Sequence, residues 1–214
     1  MKKKLAKIAA LAMAAVSLVL VTVLVTVAFL TSKSNVITNT FTGGQVQITM
    51  DETAVDLNTG AVLNSKSNGN AYRLVPGKEY VKDPTVHVLV DSEESYVFVE
   101  ISNEISGIEK GVKGLGTIAE QMAALNWKKI AKSSNGDVYV YAKGEAYATP
   151  VAKSTQVQDL PVFKKFAVKE DAVVANYANA KVVLTAYAIQ ADTFTADATG
   201  IAAAWEKVSA AANN

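Results

Sequence analysis

Residues Thr85–Ser102 read TVHVLVDSEESYVFVEIS. Val86, Val88 and Val90 fall on one side of this stretch, with Thr85, His87 and Leu89 on the other. After the polar turn Asp91–Glu94, the residues Val97, Val99 and Ile101 alternate in the same way with Tyr96, Phe98 and Glu100. A two-residue period sends successive side chains to opposite faces of an extended chain, so the stretch predicts two strands of a sheet. The outward pair Tyr96 and Phe98 is either a binding patch or the contact to a further layer of the same domain, the commoner use of such residues.

The same period recurs on both sides of this stretch. Gln45–Met50 sets Val46, Ile48 and Met50 against Gln45, Gln47 and Thr49, and Val138–Tyr141 and Phe163–Val168 read as further strands. Val182–Ala191 is apolar on both faces, the pattern of a central strand. Turn chemistry punctuates the runs at Ser67–Asn70, Pro76-Gly77, Asp83-Pro84 and Ser134–Asp137. Two helices interrupt them. Thr117-Ile118-Ala119-Glu120 has the form of a capping box, followed by Met122 and Leu125 at helical spacing. Ala198–Ala212 is alanine-rich with Ile201, Trp205 and Val208 on one face. Many short strands separated by such turns predict an antiparallel β-sandwich carrying one or two short helices.

The N-terminus has a different character. Met1-Lys2-Lys3-Lys4 and Lys7 precede an apolar run from Ile8 to Leu30, broken only by Ser17, Thr22 and Thr26. A basic start before an apolar segment is an export signal, expected to form a helix. Thr26-Val27-Ala28 supplies the small residues a signal peptidase needs, so cleavage is expected between Ala28 and Phe29. The run is also long enough to span a bilayer, which leaves a retained anchor as the alternative. The chain divides accordingly into a signal (1–28), a polar segment ending in Gly43-Gly44 (29–44) and a sandwich domain (45–214).

Charge and composition exclude several classes. Cleavage after Ala28 removes four of the 21 basic residues and none of the 20 acidic ones, leaving 17 against 20 and a net charge of −3. No basic stripe remains to neutralise phosphates, which argues against a nucleic-acid partner. Arg73 is the lone arginine, so bidentate recognition of phosphate or carboxylate has little to work with. The absence of cysteine removes thiolate metal sites, cysteine nucleophiles and disulfides.

Catalytic signatures are sparse. His87 is the single histidine, on the strand face opposite the valines, and neither His-Glu-x-x-His nor any other zinc spacing accompanies it. A lone strand histidine is most often a surface or satisfied residue. Gly107, Gly111, Gly114 and Gly116 cluster before the Thr117 helix, but their spacing is that of no phosphate-binding loop and reads as a flexible approach to a capped helix. Asp91-Ser92-Glu93-Glu94 offers close-spaced carboxylates for calcium without the defined loop pattern, and reads as a solvated turn. No catalytic, cofactor or metal residues are assigned, and no cofactor is expected.

Several segments in order resemble the camelysin/TasA-like family of exported Gram-positive proteins: the apolar signal, NTFTGGQVQITMDE (39–52), YRLVPGKEYVKDPTVHV (72–88) and SEESYVFVEISNEI (92–105). TIAEQMAALNW (117–127), DLPVFKKFAV (159–168), TAYAIQADTF (185–194) and Trp205 extend the likeness over the chain. The resemblance implies a jelly-roll-like sandwich, processing at Ala28/Phe29, and a secreted structural subunit of biofilm-matrix fibres. It implies head-to-tail partners of its own kind, joined by giving the N-terminal segment to a neighbour as a strand. Other matrix proteins stay open as partners, and membrane contact is expected only through the signal. In this chain the exchanged segment is Phe29–Thr42, with Val36, Ile37 and Phe41 as the interface side chains and Gly43-Gly44 as the hinge. An open sheet edge is a template for such addition, and a heterologous contact propagates as a filament. The segment can equally pair within its own subunit. Camelysin-type metallopeptidase activity is the alternative the family offers, and a monomeric membrane-tethered module is the other.

Overall fold

The described residues form twelve strands and two α-helices, and the six strands and two helices expected from the sequence are among them. The structure is a computed structural model that describes residues 31–34 and 45–211. A five-stranded sheet has the order β1 (Thr31–Ser34), β12 (Val182–Gln190), β6 (Ser95–Asn103), β9 (Asp137–Tyr141), β8 (Trp127–Lys132). A four-stranded sheet has the order β10 (Gln158–Pro161), β5 (Thr85–Val88), β2 (Ile48–Val55), β3 (Val62–Ser67). A small third sheet is β4 (Glu79–Val81), β11 (Lys165–Val168), β7 (Glu109–Lys110). All pairings are antiparallel. The chain passes between sheets at β5–β6 and β9–β10, so most sheet neighbours are distant in sequence. This arrangement fits the antiparallel β-sandwich expected from the alternation and the turns.

β6 shows how one strand serves two layers. Val97, Val99 and Ile101 enter the main core with Val86 and Val88 of β5, Leu184 and Ala186 of β12, and Phe166. Tyr96 and Phe98 point the other way, yet they are 3% and 0% exposed. They pack with Tyr187 and Ile189 under the helix Ala198–Ala211 (α2), which contributes Ile201, Ala204 and Val208. The outward aromatic pair is therefore the floor of a helical layer. A helix stripe and a sheet face are both apolar on one side, and each removes the other's apolar surface from water.

The other helix, α1 (Ile118–Ala124), begins with the capping box expected at Thr117. The Thr117 side chain accepts from the Glu120 backbone N–H, and the Glu120 carboxylate accepts from the Thr117 N–H at 2.7 Å. Hydrogen bonds from the Thr117 backbone N–H and from its hydroxyl hold the Glu120 carboxyl below its usual range. Gln121, 3% exposed, anchors α1 to β11, donating to the Lys165 carbonyl at 2.8 Å and accepting from the Lys164 N–H at 3.0 Å.

The sheet margins differ. β8 carries Lys128, Lys129 and Lys132 with a register shift between Lys129 and Ala131, both features that discourage strand addition. β10 is short and ends at Pro161. The strand expected over Thr85–Val90 ends at Val88, because Asp91 turns with φ 59° and Val90 is left 46% exposed. β11 starts two residues later than the run from Phe163 suggested, with Phe163 buried in the approach to it. No helix among the described residues is long and apolar enough to cross a membrane.

Candidate functional site

β12 is the strand on which the site is built. Its alternation divides between the two cores, with Leu184, Ala186 and Ala188 facing the sandwich and Tyr187 and Ile189 facing α2. β6 pairs with its full length on one side, from Val182↔Asn103 to Gln190↔Ser95. On the other side β1 pairs with only four of its nine residues, in the register Thr31↔Ile189, Ser32↔Ala188, Lys33↔Tyr187 and Ser34↔Ala186. Among the described residues, Val182–Thr185 have no strand on that side.

Val182 and Leu184 border a cleft of about 1150 Å³ between β2 and β12. Met50, Tyr72 and Phe166 supply further apolar wall, and Arg73 lies at its rim. Tyr72, Tyr80 and Phe166 form a ring cluster with centroids 5.0–5.7 Å apart. Burial, reinforced by the Glu52 carboxylate, pushes the Tyr72 hydroxyl far above its ordinary value. It stays a donor, to the Val81 carbonyl at 2.8 Å. Glu52 and Lys82, 3% and 8% exposed, form an ion pair of 2.7 Å in the cleft. Sequence reading missed this pair. The signal was present: Glu52 continues the inward phase of Val46, Ile48 and Met50, where a charge requires a partner.

Most of the sequence-derived site falls elsewhere. The cleavage pair Ala28/Phe29, the interface residues Val36, Ile37 and Phe41, and the hinge Gly43-Gly44 lie outside the described residues. Of the exchange segment 29–44, only Thr31–Ser34 is described, and it is the strand on β12.

The remaining features have structural partners. His87 lies between two strands' carboxylates, its Nδ1 2.7 Å from Asp159 Oδ1 and its Nε2 3.2 Å from Asp51 Oδ2. The two aspartates approach opposite edges of the ring, so they cannot converge on one ion with it. Among the described residues no group of three or more metal-ligating side chains is gathered. Burial raises the Asp51 carboxyl, but hydrogen bonds from Lys66 and His87 outweigh it, and the net shift is downward. In the Asp91–Glu94 turn, Glu93 pairs with Lys153 at 2.7 Å and Ser92 bonds to Gln47. The glycine cluster leads into α1 as expected. Gly116 has φ 84°, and a Cβ there would lie 2.5 Å from the Glu120 carboxylate.

No protein-family model, curated protein or solved structure matches this chain.

Proposed function

We propose that this chain is an exported structural subunit of extracellular matrix fibres, linked head to tail by exchange of the segment 29–42. The observation that supports the reading is the antiparallel pairing of Thr31–Ser34 with the margin of β12. Every backbone bond this strand makes to β12 can be made by the same strand of a second copy. Exchange of an identical element keeps the contacts and changes only the chain that supplies them. A strand given forward to the next subunit, while one is received from behind, yields a heterologous contact that does not close. The fibre then needs no cofactor, and its partners are further copies, with signal peptidase acting during export.

Negative-stain electron microscopy of two purified forms, beginning at Phe29 and at Gly43, tests this. Filaments from the longer form alone are the expected result. Filaments from both forms would move the contact away from the segment. Monomers from both would remove the fibre reading, leaving a surface module held by its N-terminal signal or a secreted peptidase.

A further inference from the structure

The cleft contains a hydrogen-bonded polar trio drawn from three places in the chain. Glu52 stands on β2, Asn70 follows β3, and Lys82 lies between β4 and β5. Glu52 bridges the other two: its Oε2 accepts from Lys82 Nζ at 2.7 Å and its Oε1 from Asn70 Nδ2 at 2.9 Å. The Asn70 amide has a fixed orientation. Its Oδ1 accepts from the Val55 backbone N–H at 3.0 Å, and its Nδ2 also donates to the Thr53 carbonyl at 2.8 Å. Lys82 and Glu52 are nearly enclosed, beside the Tyr72 and Phe166 rings that line the same cleft.

A buried ion pair is a poor source of net stability, because desolvation cancels most of the attraction. The same groups form a complete set for amide transfer: an amine, a carboxylate able to carry its proton, and a carboxamide whose oxygen faces a backbone donor. We propose that Lys82 and Asn70 join in an intramolecular isopeptide bond, with Glu52 carrying the protons.

The step balances within the trio. One proton passes from Lys82 Nζ to Glu52 Oε2, leaving a neutral amine beside a neutral carboxyl. The amine lone pair attacks Asn70 Cγ, and the carbonyl π pair moves onto Oδ1, where the Val55 N–H faces the developing charge. Glu52 then gives its proton to Nδ2. The pair on Oδ1 re-forms the carbonyl, the Cγ–Nδ2 bond breaks, and Nδ2 departs as ammonia. The remaining excess proton on Nζ returns to Glu52, which ends protonated. One amide has replaced another, with no oxidant and no external reactant. The bond ties the turn after β3 to the segment entering β5, giving a chain without cysteine a covalent tie of another kind.

Mass spectrometry of the folded, purified full chain tests the proposal. The denatured protein is expected to weigh less than its sequence by one ammonia. Trypsin should fail to cut after Lys82 and should release Ser67–Arg73 joined to Glu79–Lys110. Lys82→Arg, Asn70→Ala and Glu52→Gln should each abolish the joined peptide. A succinimide at Asn68-Gly69 also loses ammonia but leaves Lys82 open to trypsin, so that pattern overturns the proposal. Folded wild-type protein with free Lys82 overturns it equally, whether or not the variants fold.

Discussion

Removing the Phe98 ring tests whether the C-terminal helix is an integral layer of the domain. Phe98 is 0% exposed on β6, on the face turned away from the sandwich, and its ring centroid is 5.8 Å from that of Trp205 on α2. Trp205 also meets Tyr187 of β12 edge-on at 5.1 Å. If α2 seals this face, Phe98→Ala leaves a cavity between strand and helix and costs about 3–5 kcal/mol. For a domain of this size each kcal/mol lowers Tm by about 2–4 °C, so a fall of roughly 6–20 °C is expected. Trp205→Ala should cost less, because Trp205 is only half-buried. The two losses should not add: an aromatic pair contributes about 0.5–1.5 kcal/mol beyond its area, and the double variant should show a coupling of that size. Urea denaturation followed by far-UV circular dichroism gives all four stabilities. A Phe98→Ala loss within about 0.5 kcal/mol, the range of an exposed position, would refute the layer and return Tyr96 and Phe98 to the surface.

Two further perturbations address the cap and the charged face. Thr117→Ala should destabilise the protein by about 1 kcal/mol through loss of the side-chain cap, measured as a lower denaturation midpoint, whereas Thr117→Ser should be nearly silent. The Asp51 carboxyl is held below the ordinary carboxylate value, so it stabilises the fold above the unfolded-state pKa and the contribution is lost as pH falls through the depressed folded value. Asp51→Asn should therefore flatten the acid side of the stability profile while lowering stability near neutrality.

The sandwich was legible because its central strands keep a strict two-residue period against a continuous core. Val86 and Val88, and Val97 and Val99, were assigned correctly to the core side. β3 was missed for the opposite reason: five of its six residues are exposed, so burial imposed no period on VLNSKS. β4 and β7 are too short to show one. Tyr96 and Phe98 were read as outward, which they are, but what covers them is more than a hundred residues away in sequence. The Glu52–Asn70–Lys82 trio depends on three separate backbone segments and has no local motif. Only the charge at an inward position of β2 announced it. His87 was read as a surface or satisfied residue, and its neighbours Asp51 and Asp159 could not be named without the strand register.

The lysines on β8 constrain the material that the proposed subunit could build. A ladder that runs on from molecule to molecule needs two receptive margins per sheet, and here one margin is charged and bulged. Under the proposed exchange, a strand received at β12 would extend each sheet by one member and stop. The proposed fibre would be a string of separate folded beads, each unfolding on its own, rather than the unbroken cross-β lattice of amyloid. Such a thread should bend at its links and leave amyloid-specific dyes dark.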